Sequence, residues 1–183
     1  VASYTDGEGA AETVTSSATS AVTDIPVINL STLDGTNGFR LDGEAGDDFS
    51  GTSVSSAGDI NGDGYDDLII GARGADINGD YSGSSYVVFG TDSAFAATVN
   101  LSTLDGTTGF RLDGVTADDN SGVSVSSAGD VNGDGYDDLI IGAYHASPNG
   151  DYSGSSYVVF GTGSAFASTV NLSTLDGTNG FRL

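Results

Sequence analysis

Apolar residues fall in short, recurring blocks separated by polar clusters. LIIGA runs from Leu68 to Ala72 and SYVVFG from Ser85 to Gly90, each flanked by Gly, Asp, Asn and Ser. Blocks of this length, rich in β-branched and aromatic residues and bounded by turn formers, predict strands and not helices. In the first unit they predict strands over Gly38 to Asp42, Thr52 to Ala57, Asp67 to Ala72 and Ser84 to Phe89, with a further extended stretch from Val99 to Leu104. No stretch approaches the ~18 apolar residues of a membrane span, so no membrane insertion is expected.

The blocks repeat. GDINGDGYDDLIIGA at Gly58 to Ala72 returns as GDVNGDGYDDLIIGA at Gly129 to Ala143, 71 positions later. DYSGSSYVVFGT recurs unchanged at Asp80 and Asp151, and NLSTLDGT(N/T)GFRL occurs three times, from Asn29, Asn100 and Asn171. The expected organisation is a tail of a preceding domain or a linker over 1–27, repeats over 28–98 and 99–169, and the first strand of a third repeat over 170–183. Four strands per unit of this size is the arithmetic of a propeller blade. The expected fold is all-β: tandem four-stranded antiparallel blades packed face to face, two blades plus the start of a third. Two blades do not close a ring, so an open or stacked arrangement stays possible. Termini in phase with the repeat point to a segment of a longer array or to a subunit that continues into a neighbour.

Composition narrows the partners. Twenty-six acidic residues stand against four arginines and no lysine, for a net charge of −22. Nucleic acid and anionic membrane surfaces would repel such a chain; cations would be drawn to it. Acidity of this order can mean disorder, but disordered chains lack the recurrent apolar blocks. There is no Cys, so no disulfide staples the fold, and the chain starts at Val1, as a processed product or a fragment does.

The sharpest chemical signal is D-x-N-x-D-G-x-x-D, present twice: Asp59, Asn61, Asp63, Gly64, Asp67, and Asp130, Asn132, Asp134, Gly135, Asp138. A hard divalent cation needs six to eight oxygens at about 2.3–2.6 Å. Side-chain oxygens at positions 1, 3 and 5 of a tight loop point inward together, Gly at position 6 permits the turn, position 7 offers the carbonyl of Tyr65 or Tyr136, and Asp at position 9 closes the set. An EF-hand would need Glu at position 12, where Ile70 and Ile141 stand, so these are calcium loops between strands. A metal-free Asp/Asn/Gly turn is the competing reading, but three carboxylates within nine residues repel one another unless a cation sits between them. Ca2+ is expected over Mg2+, one ion per repeat, and Zn2+ is disfavoured without Cys or clustered His.

On these residues the units resemble FG-GAP repeats, the blades of integrin α-subunit β-propellers and of many secreted bacterial proteins. The matching text is SGTSVSSAGDINGDGYDDLIIGA at Ser50 to Ala72 and GSSYVVFG at Gly83 to Gly90, with their second copies. The resemblance implies a four-stranded blade with Ca2+ held in a hairpin loop by the ligands just named. The chain departs from the family at Phe49-Ser50-Gly51, at Asn120 in place of Phe49, and at Gly71-Ala72-Arg73 and Gly142-Ala143-Tyr144. The text of residues 1–19 looks like the closing strands of cadherin-like or Ig-like repeats in bacterial adhesins.

Weaker candidates have plainer readings. Asp47-Asp48 and Asp118-Asp119 read as solvated acidic turns, and Asp76, Asn78 and Asp80, with Ser147, Asn149 and Asp151 in the second copy, as polar hairpin tips. His145 is the single histidine, with no Cys or second His to complete a nucleophilic site. Tyr81, Tyr86, Tyr152 and Tyr157 suit a sugar-binding face less well than packing between blades or standing on a rim. The chain is therefore read as no enzyme, but as an extracellular, calcium-binding structural or adhesive segment of a large cell-surface or secreted protein. The alternatives are a subunit of a self-assembling calcium-stabilised filament and a non-catalytic accessory domain of a secreted enzyme. Its expected partners are calcium, neighbouring repeats or identical subunits, and a cell-surface protein or glycan.

Overall fold

The structure is a computed structural model that describes Ala2–Thr5, Ala11–Val14 and residues 27–183. The chain divides into two compact units, residues 1–32 and 33–183. The first contains an antiparallel hairpin, β1 (Ala2–Thr5) with β2 (Ala11–Val14), and a 3-10 turn at Leu30–Thr32. The rest of the expected 1–27 tail lies outside the described residues.

The second unit is built from eleven short strands. They are β3 (Arg40–Asp42), β4 (Ser53–Gly58), β5 (Asp67–Ala72), β6 (Ser84–Val88), β7 (Thr98–Asn100), β8 (Gly109–Asp113), β9 (Ser124–Gly129), β10 (Asp138–Ala143), β11 (Ser155–Val159), β12 (Thr169–Asn171) and β13 (Gly180–Arg182). No α-helix occurs among the described residues. The strands form two blades, ordered β4-β5-β6-β8 and β9-β10-β11-β13, every neighbouring pair antiparallel. β12 adds to β8 in parallel, and β7 pairs in parallel with β3. The extended stretch expected over 99–104 is a strand only to Asn100. There the Asn100 side chain accepts the Ser102 N–H and starts a 3-10 turn, Leu101–Thr103.

The blade and the sequence repeat are offset by one strand. β3, the first strand of its repeat, pairs with none of β4, β5 or β6. The fourth place beside β6 is filled by β8, the GFRL strand of the next repeat, with Tyr86 opposite Arg111 and Val87 opposite Phe110. β13, the third GFRL strand, completes the second blade in the same way. Each blade is thus tied to its successor through the chain.

The strand sequences follow from position. β5 lies between two strands and, beyond Leu68, is covered on both faces, so it reads as a continuous apolar run and not an alternation. The main core fills the space between blades, with Ile69, Val87, Phe110 and Leu112 of the first facing Leu139, Ile141, Tyr157 and Val159 of the second. β4 and β9 lie against each other, and both read SVSSAG. A Cβ on Gly71 would overlap the Gly122 carbonyl oxygen, whereas one on Gly142 meets nothing nearer than 3.6 Å. Gly71→Ala is therefore expected to cost about 1–3 kcal/mol, and Gly142→Ala next to nothing, although both sit in the same LIIGA text. Comparing urea midpoints tests this; equal midpoints would contradict the blade contact.

Candidate metal-binding loops

Each D-x-N-x-D-G-x-x-D segment joins the first two strands of a blade, β4 to β5 and β9 to β10. The pairing register shifts where the loop leaves the sheet, between Ser56 and Gly58 and between Asp138 and Leu139. Such bulges re-aim the chain at the mouth of a loop.

The loops are wound by their own side chains. Asp59 accepts the N–H groups of Asp63 at 3.0 Å and Gly64 at 3.0 Å through its two oxygens. Asn61 Oδ1 accepts the Asp63 N–H at 2.9 Å, Asp63 Oδ1 accepts the Tyr65 N–H at 2.9 Å, and Asn61 Nδ2 donates to Asp63 Oδ2 at 2.9 Å. Asp130, Asn132, Asp134 and the Tyr136 N–H repeat this pattern within 3.1 Å. Positions 1, 3 and 5 therefore meet on the inside of one exposed turn.

Position 9 behaves differently. Asp67 and Asp138 are fully buried. Asp67 accepts the N–H groups of Ile60 at 3.1 Å and Gly90 at 2.8 Å; Asp138 accepts those of Val131 at 2.8 Å and Gly161 at 2.9 Å. Each pins the loop base to the end of its blade's third strand and keeps a second lone pair on each oxygen. Burial first, and then the charges of Asp63 and Asp59, push the Asp67 carboxyl up to about 6 against the pull of its two backbone bonds. Among the described residues no three carboxylate or imidazole groups converge into a ready-made metal cage. The donor set is carboxylate, amide and carbonyl oxygen only, which suits a hard divalent ion; Tyr65 and Tyr136 would offer their carbonyls.

One functional residue escaped the pattern. Asp137, at position 8 of the second loop, reaches the first: its Oδ2 accepts the Asp59 N–H at 2.9 Å and its own N–H donates to the Asp59 carbonyl at 3.2 Å. Thr162 N–H donates to the Ile60 carbonyl at 2.9 Å beside it. The second blade thus clasps the residue that opens the first loop. The only sequence signal was an Asp at position 8 in both copies. Asp137→Ala is expected to cost about 1.5–3 kcal/mol, the range for a hydrogen bond to a charged group. The exposed counterpart Asp66→Ala should stay within about 0.5 kcal/mol. Denaturant titration of dilute protein separates the two, and equal losses would refute the clasp.

The weaker candidates fall into structural places. Asp48 accepts the Ala45 N–H and Asp119 the Thr116 N–H, each closing a turn. Asp76 accepts the Tyr81 N–H at 2.7 Å within a hairpin tip. Tyr86 and Tyr157 are buried; the Tyr86 hydroxyl donates to Glu44 at 2.9 Å, and burial, then that bond, raise its pKa. Tyr81 and Tyr152 are exposed, and the His145 ring lies tilted between those of Tyr144 and Tyr152, at 3.9 and 4.8 Å. Phe49 and Asn120 share a left-handed backbone, φ 53° and 55°, a conformation Asn tolerates better than Phe.

The FG-GAP repeat family matches residues 50–88 and 121–159, in each case the loop with the three strands around it. Integrin alpha-6 of Gallus gallus is 34% identical over 103 residues, covering 50% of this chain and 9% of that protein. Integrin alpha-6 of Homo sapiens is 33% identical over 103 residues, covering 50% and 8%. Integrin alpha-PS2 of Drosophila melanogaster is 30% identical over 122 residues, covering 62% and 8%. The chain spans less than a tenth of the length of these relatives.

Proposed function

From the two FG-GAP repeats that the chain carries, we propose that it is a non-catalytic, calcium-stabilised repeat segment of an extracellular adhesive protein. The observation that carries this reading is the pair of identically wound, oxygen-only loops on a chain of net charge −22. Asp59, Asn61, Asp63, the Tyr65 carbonyl and Asp67 hold one ion; Asp130, Asn132, Asp134, the Tyr136 carbonyl and Asp138 hold the other. An ion there neutralises carboxylates that otherwise repel, so its binding free energy adds to folding free energy. Asp137 links the first loop to the blade interface, so an ion on Asp59 also stiffens the contact between blades. A rigid stack of blades held by millimolar calcium suits the outside of a cell, where such modules bind with Kd of about 10⁻⁴–10⁻³ M. Its adhesive partner is a cell-surface protein or glycan.

Calorimetric titration of the chelator-treated chain tests the reading. Two calcium ions per chain are expected, falling to none in Asp63→Ala with Asp134→Ala. Absence of a binding heat in the unsubstituted chain would remove calcium from the account.

A further inference from the structure

The same surface occurs twice in this chain, once covered throughout and once bare along its β4 side. Val125 and Leu139 of the second blade face the first and are 5% and 0% exposed; their counterparts one repeat earlier, Val54 and Leu68, are 67% and 36% exposed. Tyr136 and Asp137 lie against the first loop, whereas Tyr65 and Asp66 face solvent. On the opposite face the relation reverses. Ile60 and Ile69 are 0% exposed against the second blade, while Val131 is 51% exposed and Ile140 only partly buried. Ile70, Tyr86 and Val88, the counterparts of Ile141, Tyr157 and Val159, are already buried with Leu41, Leu101 and Leu104, so what residues 33–183 leave bare of the first half is its β4 side, and of the second half the face that carries Val131.

The sheet edges agree. β8 and β13 each pair antiparallel with the third strand of a blade. β3 carries the same GFRL text, yet among the described residues its one strand partner is β7, and its other edge is open.

We propose that these two faces bind each other between copies of this chain. The first blade of one copy docks on the second blade of another, reproducing the internal contact, and β3 takes the place of β13 along β11 of that second copy. Gly38 to Leu41 and Gly180 to Leu183 are identical, so the exchange conserves strand pairing in kind. The gain is the apolar surface at Val54, Leu68 and Val131 withdrawn from water. The contact is heterologous, so its repetition closes a ring or runs on as a filament. At −22 per chain the copies repel, and salt screens that repulsion. The proposal goes beyond the calcium reading and has a separate readout, mass in place of binding heat.

Sedimentation equilibrium in calcium and physiological salt tests it. The mass of the unsubstituted chain should rise above the 18.2 kDa monomer with concentration. Val54→Asp spoils one face, and Val131→Ser spoils the other without adding charge between Asp130 and Asn132. Each variant should remain monomeric, with the melting temperature that the unsubstituted chain has at low concentration, because both side chains are exposed. Their equimolar mixture should double in mass, since each supplies the face the other lacks. A monomer for the unsubstituted chain up to about 1 mM would overturn the proposal, as would a mixture of the two variants that stays monomeric.

Discussion

Phe110→Ala is expected to remove about 3–5 kcal/mol of stability, the usual cost of emptying a buried phenylalanine site. For a unit of this size that lowers the melting temperature by roughly 6–20 °C. Phe110 is 0% exposed, stands on β8 and closes the first blade. Its ring stacks on Phe166 at 4.3 Å with 6° between planes and meets Phe89 at 5.9 Å. Phe39 is the same residue in the same GFRL text and stacks on Phe95 at 4.2 Å, yet it is only half-buried beside the open β3 edge. Phe39→Ala should therefore cost distinctly less. Thermal melts of both variants at low concentration check the contrast; equal losses would mean that β8 does not occupy the core between the blades.

Calcium is expected to be the second large determinant of stability. With a Kd of about 10⁻⁴ M and about 2 mM free ion, one site contributes roughly 1.8 kcal/mol and two independent sites roughly 3.6 kcal/mol. Adding chelator should then lower the melting temperature by about 7–14 °C. Asp63→Ala with Asp134→Ala should erase that difference between calcium and chelator. Both side chains sit on exposed turns, so truncation leaves the core untouched. A melting temperature indifferent to calcium in the unsubstituted chain would count against ions as part of the fold. The double variant matters as much in chelator, where removing one carboxylate from each loop relieves its repulsion with Asp59 or Asp130 and costs the bonds from the Tyr65 and Tyr136 N–H groups and from the Asn61 and Asn132 side-chain amides.

The internal repeat makes the chain its own control. Identical residues occupy the two blades, so any difference between paired substitutions reports environment and not chemistry. Gly71 against Gly142 and Asp137 against Asp66 each isolate a contact that exists on one side only, and Phe110 against Phe39 compares the same ring stack at two depths of burial.

The amino-acid sequence by itself determined the strands, the turns and the ligand types. Apolar blocks of five or six residues between Gly/Asp/Asn clusters have one local solution, and β5 and β10 are the LIIGA block with the one Asp before it. Asp, Asn and Asp at alternate positions before Gly wind one kind of loop, so residues 59, 61 and 63 meet as their spacing requires. The repeat length is likewise a property of the text. Only the tertiary structure decided which strand completes a blade, because three identical GFRL segments compete for two places and local pattern cannot rank them. It also turned Asp67 inward to two backbone N–H groups and set Asp137 against Asp59, contacts that depend on chain segments 23 and 78 positions away. And it buried Val125 while leaving Val54 bare. Local sequence encodes conformation and period, but burial is decided by what lies opposite, and that is a property of the assembled sheets.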